Sequence, residues 1–372
     1  MEHLKKEQLS RIRIQGFKSI KDCDLRLRKI NVLIGSNGAG KSNFISAFTL
    51  LQNVLTQNLG LYAAQAGLNA LFFKGRKITE NIGIEIFFGE INHGEASYGF
   101  TLNPTDDNQI VFGREYFGYH GLMRNQSVIA RGHSESKWMQ GTTSIASDYI
   151  VATLKEQSWR VYHFHDTSRS AKIKQEHNLS NNKVLLFDAS NLAAFLYRLK
   201  QHYKEDYRLI VETIRLIAPY FDDFDLIPNE GNKELIVLRW KQKSCEDIFN
   251  ASQLSDGTLR FICLATLLLQ PAELRPATII IDEPELGLHP YAITVFSELV
   301  HSASVDSQII LSTQSVELLN EFDAEDVIIA DRDEDHSTFK RLNAKELKDW
   351  LDNDYSLGEL WNKNILGGRL SK

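Results

Sequence analysis

The residues with the clearest chemical pattern lie in INVLIGSNGAGKSNF, which sets Gly35, Gly40, Lys41 and Ser42 at the spacing G-x-x-x-x-G-K-S. An apolar run precedes the motif and a segment with helical spacing follows it, which is the context of a phosphate-binding loop. Backbone N–H groups of such a loop surround phosphate oxygens, and the helix N-terminus adds a positive field. We predict that Lys41 reaches the β and γ phosphates and that Ser42 offers its hydroxyl to Mg²⁺. The predicted nucleotide contacts of the loop are Asn37, Gly38, Gly40, Lys41 and Ser42.

A pair of carboxylates ends the apolar run of ATIIIDEPELGLHP. In open α/β sheets, nucleotides bind at the edge where such strands end. We predict that Asp282 holds Mg²⁺ through water and that Glu283 orients or deprotonates an attacking water. In a chain with a phosphate loop, this pair favours hydrolysis over simple nucleotide binding.

A third apolar run, SQIILSTQS, ends in polar residues that would contact the γ-phosphate. Gln314 is the candidate sensor of that phosphate. The alternative is that these polar residues serve the next helix, with Ser312 or Thr313 as its cap.

The stretch NASQLSDGTLRF allows two interpretations. It is either a solvated polar turn or an anion-facing loop, in which Ser255 provides a hydroxyl and Gly257 permits close backbone approach. We predict that a helix begins at about Thr258, so that its N-terminus faces an anion.

The surrounding patterns predict the elements that position these residues. RIRIQGFKSI alternates like a strand, and from about residue 80 short strands separated by turns indicate an antiparallel section. Apolar residues from 192 to 217 predict an amphipathic helix or helical hairpin that stops near Pro219. Strands then alternate with helices, which indicates a mainly parallel sheet. Residues 120–160 are the least patterned and are expected to be partly mobile.

The predicted fold class is α/β. It comprises a head with a mainly parallel core sheet, an N-terminal antiparallel β section and a mixed α/β insertion lobe. The predicted domains are residues 1–90, an N-terminal lobe with the phosphate loop; 91–245, the insertion lobe; and 246–372, a C-terminal lobe with the other motifs.

Composition indicates a globular protein without a membrane span. Hydrophobic residues make up 43% of the 372 residues and charged residues 24%, and the net charge is −6. No apolar run reaches the length of a membrane span and the N-terminus carries no apolar signal core, so we expect a cytoplasmic protein. Cys23, Cys245 and Cys263 are predicted to be buried neutral thiols.

Charge is distributed unevenly along the chain. Residues 1–30 hold nine Lys or Arg against four acids, and residues 120–187 hold nine against five. Such segments permit a basic groove for DNA, with Trp138 and Trp159 in the second of them. Packing is the favoured interpretation for either tryptophan, and solvated faces are an equal alternative for the charges.

The order and wording of the phosphate loop, LSDGT and IIIDEP resemble the ATP-binding-cassette (ABC) class of P-loop ATPases. RIRIQGFKSI is similar to the RecF, SMC and OLD branch, and LKDWLDNDYSLGELWNKNILGGRL to the C-terminus of small predicted ATPases related to OLD proteins. The resemblance implies ATP and Mg²⁺ as cofactors and an ATP-sandwiched homodimer, in which the LSDGT signature of one protomer covers the γ-phosphate held by the other. It also places Lys18 near the γ-phosphate; a solvated strand-edge lysine is the alternative.

The chain departs from transporter-type cassettes at several positions. The stretch VYHFHDTSR, at the place of the Mg²⁺-sensing glutamine loop, has no glutamine, and His165 or Asp166 is the candidate substitute. A metal cluster of these residues with His163 is a weaker alternative. Histidine stands at 289, where transporters commonly carry aspartate, and Gln314 replaces the switch histidine.

The resemblance implies a dimeric, Mg²⁺-dependent ATPase that acts as a switch or sensor, in antiphage defence or DNA repair, with a separate effector such as a nuclease or toxin. The alternatives are a non-catalytic scaffold held together by ATP and a transporter subunit. The N-terminal sequence RIRIQGFKSI and the long insertion at 91–245 argue against a transporter subunit. Asp331, Asp333 and Asp335 invite a metal-ligand interpretation, but an acidic turn is favoured because too little chain follows to build the OLD nuclease domain.

Overall fold

The computed structural model describes residues 8–89, 94–120, 124–140, 145–155 and 159–368. Its strands are β1 (Leu9–Phe17), β2 (Ile20–Arg26), β3 (Ile30–Ile34), β4 (Ile82–Phe88), β5 (Glu95–Pro104), β6 (Ile110–His120), β7 (Arg124–Ala130), β8 (Trp159–Tyr162), β9 (His177–Asn178), β10 (Phe221–Asp225), β11 (Leu235–Ile236), β12 (Arg239–Gln242), β13 (Ile248–Asn250), β14 (Thr278–Asp282), β15 (Gln308–Thr313), β16 (Val327–Asp333) and β17 (His336–Arg341). Its helices are α1 (Lys41–Leu55), α2 (Leu59–Ala66), α3 (Leu68–Leu71), α4 (Ile145–Lys155), α5 (Leu192–His202), α6 (Lys204–Ile217), α7 (Asp256–Leu269), α8 (Pro290–Ala303), α9 (Val316–Leu319), α10 (Lys348–Leu351) and α11 (Leu357–Asn362).

The chain divides into two compact units. The first contains Met1–Val161 and Ile310–Lys372, and the second contains Tyr162–Ile309. These boundaries differ from residues 90 and 245, where the sequence analysis divides the chain, and the division into three lobes stays a prediction.

The first unit contains the predicted antiparallel section. Its sheet has the order β2-β1-β4-β5-β6-β7, and its registers align Ile14 with Ile84 and Ile84 with Phe100. These three side chains are buried, whereas Arg13, next to Ile14, is half-buried and forms ion pairs with Asp24 and Glu85. The period-two pattern of the sequence therefore corresponds to one apolar and one polar face.

The phosphate loop of the first unit extends from a buried parallel strand. All five residues of β3 are buried, and β3 pairs in parallel with β16, with Val32 opposite Val327 and Ile34 opposite Ile329. Strand β15 adjoins β3 on its other side. A strand buried on both faces reads as a continuous apolar run, which explains why INVLI shows no alternation.

In the second unit, the predicted amphipathic segment forms two helices, α5 and α6, which contact each other. They are separated at Tyr203, and α6 ends before Ala218, so the helical-hairpin interpretation and the stop near Pro219 are confirmed. Helix α7 packs between α6 and α8. Strand β14 carries the buried Ile279–Ile281 and ends at Asp282.

The structure bears on three local expectations. Residues 120–160 include β7 and α4, although parts of this stretch lie outside the described residues, and its expected mobility stays a prediction. Cys245 is half-exposed, whereas Cys23 and Cys263 are buried, and burial raises the pKa of Cys23 to about 12. Trp138 and Trp159 are both buried, which confirms the packing interpretation.

Among the described residues, no helix combines the length and apolar character that a membrane crossing requires.

Candidate nucleotide site

The phosphate loop of the first unit places a lysine ammonium against its own backbone carbonyls. Lys41 is buried, and its Nζ donates to Gly35 O at 2.6 Å and to Ser36 O at 3.2 Å. Gly40 precedes α1 in a left-handed conformation, which is accessible to glycine without strain. The positive charge is therefore held at the position from which it can meet the β and γ phosphates of a nucleotide.

The N-terminus of α1 fits a phosphate and a hard cation. Its preceding residue, Gly40, has no side chain to cap the first N–H groups, and such N–H groups bind anions. Asn37, Gly38 and Ser42 are exposed. The Ser42 hydroxyl belongs to the oxygen ligands that Mg²⁺ prefers. The loop thus suits the nucleotide contacts predicted from the sequence.

Lys18 is connected to the helix that follows the loop. It lies in the turn between β1 and β2, and its Nζ donates to Ser46 Oγ at 2.9 Å, while Ser46 Oγ donates to Ser42 O at 2.6 Å. Burial lowers the pKa of Lys18. This lysine is therefore half-buried beside α1 rather than a solvated strand-edge residue, and its contact with the γ-phosphate stays a prediction.

Gln314 is exposed in the loop between β15 and α9. The cap of α9 is Ser315, whose Oγ accepts from Leu318 N at 3.1 Å. Thr313 Oγ1 accepts from Ser315 N instead. The expectation that Ser312 or Thr313 caps this helix is wrong, because the helix begins only at Val316. The sensor role of Gln314 stays a prediction.

In the second unit, the two predicted carboxylates follow the buried strand β14 directly. Asp282 and Glu283 are both half-buried, and Glu283 has a φ of 43°. A non-glycine residue in this left-handed region is strained, and such strain concentrates at functional sites. The backbone therefore gives Glu283 an orientation that an extended strand residue would not have.

The LSDGT loop begins α7. Ser255 is the N-cap, and its Oγ accepts from Thr258 N at 3.1 Å. The helix begins at Asp256, two residues before the predicted start, because Ser255 itself is the cap. The polar-turn and anion-facing interpretations are compatible, since the capping turn leaves Ser255 exposed.

Gly257 brings this loop into backbone contact with the loop that follows the carboxylates. A Cβ on Gly257 would lie 2.2 Å from Gly287 O, so no larger residue fits without movement. His289, farther along the same loop, caps α8, and its Nδ1 accepts from Tyr291 N at 3.4 Å. The position that transporters commonly fill with aspartate therefore has a helix-capping role here.

Comparisons with known families agree with these features. A family model described as "AAA ATPase domain" matches residues 8–109, and one described as "AAA domain, putative AbiEii toxin, Type IV TA system" matches residues 143–320. No curated protein sequence is significantly similar to the chain.

Solved SMC head domains share the fold. One, bound to the C-winged helix domain of ScpA, has a TM-score of 0.62 at 16% identity, over 92% of this chain and 99% of that one. Heads from Pyrococcus furiosus and Pyrococcus yayanosii have TM-scores of 0.58 and 0.54 at 15% and 12% identity, each over 94% of this chain and 99% of the other. The chain therefore has the ABC-type ATPase fold of these SMC heads. At these identities the likeness concerns the fold.

Two histidines, His163 and His165, lie in the segment that the sequence analysis places at the position of the glutamine loop, an assignment that stays a prediction. His165 Nε2 donates to Asp282 O at 2.8 Å. Burial lowers the pKa of His163, and the negative charge of Asp282 partly opposes this effect. Asp166 is exposed and accepts from the backbone and hydroxyl of Ser168. The structure therefore places His165 against the backbone of Asp282 and His163 within the influence of its charge, whereas Asp166 is exposed. Among the described residues no group of three or more His, Cys, Asp or Glu side chains is arranged to hold a metal ion.

Sequence reasoning missed Arg260, a residue of α7 that binds carbonyls of two other segments of the second unit. Its guanidinium donates to Phe164 O at 3.0 Å, to His165 O at 3.3 Å and to Leu286 O. Arg260 is buried, and burial lowers its pKa. The signature helix, the histidine segment and the loop after the carboxylates are thus held together. The sequence feature that could have identified this residue is the single charge within the apolar stretch LRFICLATLLL.

Removal of this guanidinium should destabilise the second unit. We expect Arg260→Leu to lower the free energy of unfolding by about 2–3 kcal/mol, because one buried and two partly buried hydrogen bonds from a charged donor are lost. Arg208→Ala is the control, since Arg208 is exposed on α6 and, within the described ranges, its ion pairs are those with Glu205 and Glu212; we expect at most about 0.5 kcal/mol from it. Chemical denaturation measures the stability of both variants. An Arg260→Leu variant as stable as Arg208→Ala would show that the Arg260 hydrogen bonds do not stabilise the fold.

Proposed function

We propose that the protein is a Mg²⁺-dependent ATPase that works as a dimeric switch or sensor. The observation that carries the proposal is the buried Lys41 ammonium, held by Gly35 O and Ser36 O in a loop that begins α1. A lysine in this arrangement exchanges backbone carbonyls for phosphate oxygens when a nucleotide binds. The family-model matches and the fold support an ATPase.

In the proposed reaction, each motif has one task. Residues 37–42 bind the phosphates through backbone N–H groups and Lys41. Ser42 and Asp282 would hold Mg²⁺, which neutralises charge that develops on the phosphates. Glu283 accepts a proton from the attacking water or orients it. Gln314 senses the γ-phosphate from the end of β15.

The proposed dimer has two ATP molecules between its protomers. Ser255 and the N-terminus of α7 on one protomer would meet the γ-phosphate held by the other. The exposure of Ser255 supports this role, and so does the 14-residue length of α7, because a helix N-terminus attracts an anion. In this arrangement the Ser255 loop of one protomer acts as a lid over the ATP of the other. ATP binding would therefore be the signal for dimerisation.

The proposed biological role is antiphage defence or DNA repair with a separate effector, a nuclease or a toxin. One of the two matching family models is described as "AAA domain, putative AbiEii toxin, Type IV TA system", and one similar SMC head was solved with a partner domain bound. Both descriptions concern those proteins and support a partner here. ATP-dependent copurification with the product of a neighbouring gene would test the role. DNA contact, if the basic segments provide it, should weaken as salt is added.

The test of the proposed ATPase activity is Lys41→Ala. We expect ATP affinity to fall at least about 100-fold and phosphate release to reach background, because two charge-assisted phosphate contacts are lost. Lys29→Ala, at an exposed lysine between β2 and β3, is the control and should behave like the parent. Equilibrium binding of a fluorescent ATP analogue and phosphate release are the measurements. A parent protein that neither binds nor hydrolyses ATP would reject the proposal.

A further inference from the structure

The C-terminal segment returns to the phosphate loop within the first unit. Gly368 O accepts from Ser36 N at 3.0 Å, and Gly368 N donates to Asp331 Oδ2 at 3.0 Å. Asp331 lies on β16, the strand that pairs with β3. We call Leu357–Gly368 the C-terminal clasp.

The clasp fits tightly where it meets the loop. Gly368 has a φ of 79°, and a Cβ there would lie 2.7 Å from Ile329 Cγ2 and 2.9 Å from the Trp361 ring. Trp361 is itself buried. Both the backbone conformation and the space therefore require glycine at 368.

The other end of the clasp packs on the helix that follows Gln314. Gly358 N donates to Asn320 Oδ1 at 2.7 Å, and a Cβ on Gly358 would lie 2.4 Å from Val316 Cγ1. Val316 is the first residue of α9. The clasp thus contacts both the helix after the proposed sensor and the proposed phosphate loop.

One peptide unit connects the contact at Ser36 to the carbonyl that binds Lys41. The N–H of Ser36 and the C=O of Gly35 belong to the same planar group. The N–H donates to Gly368 O, and the C=O accepts from Lys41 Nζ. Rotation of this plane would break the hydrogen bond to Gly368 O. Gly368 therefore fixes the orientation of the Gly35–Ser36 peptide, and with it the conformation of the loop whose N–H groups would surround the phosphates.

We propose that the C-terminal clasp positions the phosphate loop for ATP, with Gly368 and Asp331 as positioning residues. The inference rests on the proposed function, because it takes ATP as the ligand of the loop. If the proposal holds, ATP affinity depends on whether the clasp is bound to Ser36. A partner that draws the clasp away from Ser36 lowers the affinity without touching the nucleotide.

The test compares variants that release the clasp with variants that keep it. We expect Gly368→Ala and Asp331→Ala to raise Kd and KM for ATP about 3- to 10-fold, the range for loss of one hydrogen bond. The kcat at saturating ATP should stay within about two-fold, since bound phosphate restores the loop. Asp331→Asn should keep most of the affinity because its amide oxygen still accepts from Gly368 N. Gly67→Ala is the matched control: φ is also 79°, but a Cβ there meets nothing within 4 Å.

Thermal unfolding shows which variants are folded, and the two Asp331 variants decide the question if Gly368→Ala is not. Raised Kd in Asp331→Ala with recovery in Asp331→Asn supports the clasp. The clasp proposal is overturned if Gly368→Ala and Asp331→Ala both bind ATP with the parent's Kd. It is also overturned if Gly67→Ala raises Kd as much as they do. Either result leaves the proposed ATPase intact. A parent that does not bind ATP overturns the proposed function, and the clasp with it.

Discussion

Replacement of Glu283 by Gln is expected to slow ATP hydrolysis by about 10²- to 10⁴-fold, the usual contribution of a general base. The amide has nearly the same shape as the carboxylate but cannot accept a proton from water. Since binding relies on the phosphate loop, we expect ATP affinity within about two-fold of the parent. The ATP-held dimer should persist longer because its release depends on hydrolysis.

Single-turnover phosphate release and equilibrium binding separate these two effects. Glu298→Gln, at an exposed position on α8, makes the same chemical change away from the site and should turn over ATP like the parent. Unchanged turnover in Glu283→Gln would remove this residue from the mechanism. Slow turnover with full biological activity would instead favour the scaffold interpretation, in which ATP holds an assembly and hydrolysis is incidental.

Ser255→Arg is expected to abolish ATP-driven dimerisation and, with it, hydrolysis. Ser255 is exposed at the N-terminus of α7, where a partner's γ-phosphate would have to approach closely. A long side chain there blocks the approach. ATP binding to the monomer should remain near the parent level because residues 35–42 are unchanged. Loss of the N-cap costs about 1 kcal/mol of stability in addition.

A second substitution separates the cap from the lid. Ser255→Asp keeps a good N-cap, so the protein should be as stable as the parent, but its carboxylate repels phosphate and dimerisation should still fail. Analytical ultracentrifugation with ATP, in a Glu283→Gln background that preserves the nucleotide, gives the association state. Normal dimers of both Ser255 variants would mean that the loop only caps its helix.

The sequence predicted the motifs because each depends on local spacing. Lys41 follows Gly40 at the start of α1 and Glu283 follows the buried strand β14, as the spacing predicts; their roles stay predictions. Helix boundaries were less accurate: caps at Ser255 and Ser315 depend on backbone conformation that spacing does not specify.

Contacts between distant parts of the chain were beyond sequence reasoning. The hydrogen bond between Ser36 and Gly368 joins residues at opposite ends of the chain, and Arg260 binds carbonyls of loops far from it in sequence. Carbonyl partners leave no side-chain signature, since every residue has a carbonyl. The glycine at 368 was visible, but the reason for it required the positions of Ile329 and Trp361.

The contact between Gly257 and Gly287 has a consequence for how the protein tolerates change. It joins backbone to backbone, so no choice of side chain can tune it, and any added Cβ on Gly257 separates the two loops. In the proposed dimer, the Ser255 loop that one protomer would present to its partner therefore lies against the loop that follows that protomer's own Glu283. A mutational path that adjusts one function gradually while leaving the other untouched is closed at this position.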